Sequence, residues 1–317
     1  VTLLSTTLSP DAVTDRLAAQ YRLVALPRSS RDEVRRRIAA AGVDVLIDLG
    51  GHTGDLDMLI PRLAPVQLHY LGYPGPIGAR SIDYRVAHVF TDDADHDRVD
   101  RLLRLRRCAW VYRPPVPHRA PTPRTGPVRF GCFNRASKHS ERIVAAWGRI
   151  LRRLPDARLV LASQAFLDEP RRQAALLAFD SAVRERVEFA EWVLSEQDAQ
   201  DRYRDVDIIL DTNPYQGTTT TCDAFAAGRP VVALSDERPA ARVARSLFAA
   251  AGVGELVTAT TEQYVERAVA LAQDPERRGR LAARLVDAVR HGPLGDADDL
   301  ARAFLEAFAR AAAGTGA

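Results

Sequence analysis

From residue 128 to residue 251, short apolar runs alternate with longer stretches whose apolar positions recur every three or four residues. This feature constrains the fold most. An apolar run without polar alternation has to bury both faces, and in a parallel sheet it does so beneath covering helices. The pattern predicts strands at 128–133, 158–162, 186–190, 206–210 and 230–234, and helices at 140–153, 170–183, 195–203, 218–227 and 239–251. Strands alternating with helices imply an α/β fold with a parallel, doubly wound sheet, whose ligands bind outside the carboxyl ends of the strands.

The first part of the chain is α/β as well, but poorer in strands. Residues 10–41 read as two helices around a short strand, Leu23 to Leu26, with Ser29 and Ser30 placed to cap the second helix. Val43 to Leu49 reads as a buried parallel strand before Gly50 and Gly51, and further runs follow at Val66 to Leu71 and Tyr84 to Phe90. Between Arg113 and Pro127 stand six prolines, which mark a linker. With 317 residues and 46% hydrophobic content, two cores are affordable, giving domains at 1–120 and 127–317, the second ending in helices over 261–311. Because the first recognisable strand comes late and the chain opens at Val1, the first domain is expected to be incomplete at its start.

The net charge is only +3, with 41 acidic residues spread among the basic ones, so a nucleic-acid partner is not expected. Three unevenly spaced cysteines, Cys108, Cys132 and Cys222, form neither a disulfide framework nor a zinc motif. No apolar run approaches the roughly 20 residues that cross a bilayer. The expectation is a cytoplasmic protein without membrane or metal.

Three constellations could carry chemistry. Asp211-Thr212-Asn213-Pro214-Tyr215-Gln216-Gly217-Thr218-Thr219-Thr220-Thr221-Cys222-Asp223 joins a strand to a helix. Threonine hydroxyls and unpaired amides at a helix start suit an anion such as a diphosphate. The bland reading is a helix cap, although four β-branched residues exceed what a cap needs. Asp223, one turn in, either reaches ribose hydroxyls or complements the helix dipole.

The second is Gly131-Cys132-Phe133-Asn134-Arg135-Ala136-Ser137-Lys138, at the end of that domain's first strand. Lys138 is the only lysine in the chain. It reads either as a compact charge for a leaving diphosphate or as a solvated surface residue. The third is Asp48-Leu49-Gly50-Gly51-His52-Thr53-Gly54, where glycines admit a ligand and His52 could move a proton, or could be structural. No dinucleotide fingerprint, Walker loop, nucleophile elbow or H-E-x-x-H occurs, which disfavours dehydrogenases, NTPases, serine hydrolases and zinc proteases.

Taken together, VLIDLGGHTG, RLAPVQLHYLGYPGPIG and SIDY in the first half, with FGCFNRASK, LDTNPYQGTTTTCDAFAAGRPVV and ARVARS in the second, resemble the catalytic region of the O-GlcNAc transferase and SPINDLY family, over about residues 40 to 260. The resemblance implies a GT-B fold, two Rossmann-like domains facing across a donor-binding cleft, and inverting transfer of a sugar to Ser or Thr hydroxyls of proteins. On it Lys138 neutralises the donor diphosphate, Thr219 and Thr220 bind phosphate, and Asp223 holds the ribose. Asn134, Gly217 and Thr218 complete the donor site, while Gly51, His52 and Thr53 line the sugar side, with Lys138 and His52 as the catalytic pair.

Four threonines before Cys222 and an acidic residue resemble the SPINDLY branch, so UDP-GlcNAc and GDP-fucose both stand as donors, used as substrates with no cofactor. The resemblance also implies a protein or peptide acceptor and N-terminal helical repeats, which have no counterpart here. Ala199 stands where the family has a histidine against the base. Together with the missing start, this keeps a nucleotide-sugar-binding module without turnover as the alternative.

Overall fold

The computed structural model describes residues 1–6, 9–26, 30–54, 61–88, 90–92, 99–116 and 124–313. Ser29, Val89 and residues 117–123 of the expected linker lie outside them. The chain forms two compact units: residues 1–87, 93–104 and 310–317 make the first, and residues 88–92 and 105–309 the second.

In the first unit, β1 (Thr2–Ser5) pairs in parallel with β2 (Arg22–Ala25). Between them runs α1 (Ala12–Gln20), whose N-cap Asp11 and Thr14 form a reciprocal capping box. The strand at Thr2 corrects the expectation of a late first strand: four residues with two leucines give too weak a pattern to read. Ser30 caps α2 (Arg31–Ala40) by accepting from Glu33 N, and Val34 and Ile38, one turn apart, pack with Leu26, Leu46 and Ala64.

The second sheet of this unit has the order β3 (Val45–Asp48), β4 (Val66–His69), β5 (Tyr84–His88) and β6 (Leu102–Leu105). Strand β3 is parallel to β4, as expected, but it is an edge strand and not a buried one: Val45 and Ile47 are each 41% exposed. Leu71, expected at the end of a strand, instead turns at φ 87. Several residues of the resemblance are scaffolding here. Arg62 pairs with Asp83 at 2.7 Å, Asp83 also accepts from Gln67 N, and the partly buried Asp100 accepts from Arg85 and from the amides of Ile77 and Gly78.

The second unit is built on one six-stranded sheet from β7 (Arg129–Cys132), β8 (Arg158–Leu161), β9 (Val187–Phe189), β10 (Ile208–Leu210), β11 (Val231–Leu234) and β12 (Val257–Thr258). Their order is β12-β11-β10-β7-β8-β9, every pairing parallel. The strands follow the predicted runs because they are apolar on both faces: β10 and β11 are buried throughout. The two-residue β12 was too short to predict.

Helix α3 (Glu141–Arg153) buries Ile143, Trp147, Ile150 and Leu151 along one stripe. The single helix expected at 170–183 is two, α4 (Glu169–Leu177) and α5 (Ser181–Arg184), because Asp180 caps a new start. Then come α6 (Glu196–Asp201), α7 (Thr219–Ala226) and α8 (Val243–Ala250), followed by α9 (Thr261–Gln273), α10 (Pro275–Arg290) and α11 (Ala297–Ala312).

Strand order dictates where a ligand can go. From β7 the chain winds outward through β8 to β9, then returns to β10 beside β7 and winds the other way. The loops leaving β7 and β10 therefore diverge and open a crevice at their carboxyl ends. Tyr264 of α9 stiffens its floor, donating to the Asp211 carbonyl at 3.0 Å and accepting from Trp147 Nε1 at 3.1 Å. All three residues are buried. Replacing Tyr264 with Phe leaves two buried groups unpaired, so urea unfolding of this variant should show a loss of about 1–3 kcal/mol; an unchanged midpoint would contradict this packing.

Candidate functional site

The crevice is assembled from the ends of β7 and β10. Asp211, the residue after β10, is 1% exposed. Its Oδ1 accepts from Thr212 N at 2.8 Å, Gly217 N at 2.9 Å and Asn134 Nδ2 at 3.1 Å. Asn134 turns its Oδ1 to Thr220, whose hydroxyl donates at 3.0 Å. Only glycine fits at 217, since a Cβ there would lie 2.1 Å from Thr220 Oγ1 and 2.9 Å from Asn134 Oδ1. A chain of side chains thus fixes the loop against the helix start.

Helix α7 begins with its amides open. Thr218 holds the N-cap position but makes no side-chain cap hydrogen bond, and Thr219 is exposed. The capping explanation of the threonine run therefore does not describe what the first turn does. Thr221 spends its hydroxyl on the Gly217 carbonyl at 3.0 Å. The positive end of the helix is left to whatever occupies the crevice.

Lys138 ends a short 3₁₀ turn after β7. Its Nζ donates to the Gln216 carbonyl at 2.9 Å and lies 4.1 Å from the centroid of the Tyr215 ring. The carbonyl takes one of three ammonium donors, so the charge is positioned with donors to spare. Burial lowers its pKa, and Asp211 opposes that. The solvated-surface reading does not hold, because Lys138 is partly buried and held from two sides.

Asp223 faces inward. Gln200 Nε2 donates to its Oδ1 at 2.7 Å, and the Tyr112 hydroxyl donates to the same oxygen. Burial raises its pKa against those hydrogen bonds. The second unit thus brings together Asn134, Lys138, Gly217, Thr218, Thr219 and Thr220, with Asp223 one turn deeper.

Gly51, His52 and Thr53 belong to the first unit, on a 3₁₀ turn after β3. Gly51 has φ +53, and a Cβ on it would lie 2.7 Å from His69 Cε1, so the turn needs glycine. His52 is exposed and meets Tyr73 edge-on with centroids 5.1 Å apart. The Thr53 hydroxyl is turned back to the Gly50 carbonyl at 2.7 Å.

Beneath the turn lies a pair that was not foreseen as functional. Asp48 accepts from Gly50 N at 3.0 Å, Gly51 N at 2.7 Å and His69 Nδ1 at 2.8 Å, while His69 Nε2 faces the Tyr73 carbonyl at 2.9 Å. A carboxylate placed two residues before a pair of glycines was the available signal. Asp211, Tyr215 and Gln216 stood in the first constellation without a role, and Tyr112 and Gln200 were missed; Gln200 directly follows Ala199 on α6. Among the described residues no group of three or more His, Cys, Asp or Glu could hold a metal ion, and no helix is long and apolar enough to cross a membrane.

Burial works to raise the Asp48 pKa, but the bonds from His69, Gly50 and Gly51 hold it below the usual carboxylate value. A depressed folded value means that Asp48 contributes stability above its unfolded pKa of about 4, and that this is lost as pH falls through the folded one. Asp48→Asn should therefore lose less stability than the parent between pH 5 and pH 2 in thermal melts. An identical acid limb in the two proteins would count against the network.

Residues 123–303 match the model of glycosyl transferase family 41. The chain is 35% identical over 265 residues to a probable UDP-N-acetylglucosamine–peptide N-acetylglucosaminyltransferase, SPINDLY, of Arabidopsis thaliana; the match covers 80% of this chain and 29% of that one. The SEC protein of the same plant, which carries the same enzyme description, is 29% identical over 287 residues, covering 82% of this chain and 29% of its own length. The chain thus spans under a third of these relatives. A solved mutant of the Thermobaculum terrenum O-GlcNAc transferase superposes with a TM-score of 0.89 at 32% identity, over 98% of this chain and 61% of that one. Anabaena HepE, at 11% identity and a TM-score of 0.60, shares the fold alone. The fold is α/β of the GT-B class, and the resemblance read in the sequence holds: the chain belongs to glycosyl transferase family 41.

Proposed function

We propose that the chain is the catalytic region of an inverting glycosyltransferase that moves N-acetylglucosamine from UDP-GlcNAc to Ser or Thr hydroxyls of proteins. The observation that carries the reading is the meeting of Lys138 with the uncapped start of α7 at the strand-order reversal between β7 and β10. The similar proteins are described as acting with UDP-N-acetylglucosamine, which favours this donor over GDP-fucose.

In the reaction the acceptor hydroxyl gives up its proton to solvent as its oxygen attacks the anomeric carbon from the face opposite the diphosphate. The bond from that carbon to the β-phosphate oxygen breaks, and its electron pair stays on the leaving UDP. Lys138 and the amides of Thr219 and Thr220 take up the developing charge, as preorganised dipoles and a point charge should. Asn134, Gly217 and Thr218 shape the cradle. Asp223 is assigned to the ribose hydroxyls, as an acceptor already oriented by Tyr112 and Gln200. Gly51, Thr53 and His52 are assigned to the sugar, and His52 is exposed enough to exchange a proton.

No step calls on a metal ion, because the charge it would neutralise is given to Lys138. The three buried free cysteines suit a reducing compartment, and the cytoplasm is the proposed location.

The test is transfer to an acceptor protein followed by intact-mass spectrometry, with UDP-GlcNAc and GDP-fucose offered in parallel. The expected product gains one N-acetylhexosamine from UDP-GlcNAc. Lys138→Ala should lose roughly 10²–10³-fold in kcat with its circular dichroism unchanged. Full activity in that variant would remove Lys138 from the mechanism. Donor binding without transfer to any acceptor would favour a binding module.

A further inference from the structure

The two oxygens of the Asp211 carboxylate are treated differently. Oδ1 gathers three donors from two segments, Thr212 N, Gly217 N and Asn134 Nδ2. Oδ2 is buried and has no hydrogen-bond partner. Leaving one oxygen of a buried charged group bare is costly, and more so in a low-dielectric interior. If the role were architectural alone, an asparagine carbonyl would accept the same three donors without a buried charge.

The surroundings say what the charge is for. The titratable groups around Asp211 are Lys138 and Cys132 on the β7 side and Tyr264 from α9. Burial pushes Cys132 up to about 12 and Tyr264 well above its ordinary value, so both are neutral near pH 7. Lys138 is the cation nearest Asp211, with the exposed Arg135 a second positive charge acting on that lysine from the same loop, and Asp211 is the counter-charge of Lys138 while the crevice is empty. An arriving diphosphate replaces that counter-charge, and two anions beside one ammonium disfavour an ionised Asp211.

We infer that Asp211 is the positioning residue of the phosphate cradle: Oδ1 sets Asn134 and Gly217, and the bare Oδ2 takes up a proton from solvent when the anionic donor binds. The inference rests on the reading that a nucleotide diphosphate occupies this crevice. Protonation at Oδ2 leaves the three bonds to Oδ1 in place, so the cradle keeps its shape while the charge is cancelled. Burial, opposed by the Gly217 and Thr212 amides and by Lys138, already raises Asp211 to about 6 in the empty protein. With the bound value higher still, donor affinity should rise as pH falls from about 7.5 toward 6. UDP-GlcNAc is a suitable probe because its diphosphate is a diester that keeps its charge over this range.

The experiment is calorimetric titration of the full chain with UDP-GlcNAc from pH 5.5 to 8, for the parent, Asp211→Asn and Asp211→Ala, with circular dichroism as a check of folding. Parent affinity is expected to fall by up to roughly tenfold per pH unit over part of this range. Asp211→Asn, neutral and able to accept the same donors, should bind with an affinity that varies less than about twofold, and Asp211→Ala should bind at least tenfold more weakly at pH 6. A parent with flat affinity, an Asn variant with the parent's slope, or an Ala variant binding like the parent would each overturn the inference while the glycosyltransferase reading stood. A parent that binds no UDP-GlcNAc at any pH would overturn both. Should the Ala variant fail to fold, the comparison of the parent with Asp211→Asn decides.

Discussion

Asp211 Oδ1 accepts from the side chain at the end of β7 and from the loop amide before α7, so a single oxygen ties together the two strand ends between which the chain reverses direction. Most of what surrounds the crevice depends on that tie. Gly217 is pressed against Asn134 closely enough to exclude any side chain, and Asn134 in turn receives Thr220. The loop carbonyl that receives Lys138 belongs to Gln216, whose own side chain is held by the Leu234 carbonyl and the Ala244 amide. A site built this way has its geometry before any ligand arrives, which is the condition for electrostatic preorganisation.

The sheet of the second unit was readable because its strands are buried on both faces and its helices carry clean apolar stripes; β7, β8 and β10 lie within the runs predicted for them. Reading failed where a pattern was short or where a local bond overrode it. Strand β1 has four residues, β12 has two, and Asp180 restarts a helix that periodicity alone would continue.

The candidate site was legible to the extent that residue type betrays chemistry. A lone lysine among arginines and four threonines at a helix start stand out in any reading. The residues that orient them do not, because they are recognised by their partners. Asp211 and Gln216 stand inside the first constellation with nothing there to say what they hold, Gln200 lies outside every motif, and the roles of all three appear only once β7, β10 and α6 converge. The same holds for Asp48 and His69, which lie 21 residues apart and meet because β3 pairs with β4 in register.

The central claim is that the β7 and β10 crevice receives the diphosphate of a nucleotide sugar. Backbone amide NMR of the isotopically labelled chain, titrated with UDP-GlcNAc, tests it most directly. The account predicts the largest shifts at the amides of Gly217, Thr219, Thr220 and Thr221, together with the side-chain amide of Asn134. Shifts confined to other parts of the second unit, with these amides unmoved at saturation, would contradict it.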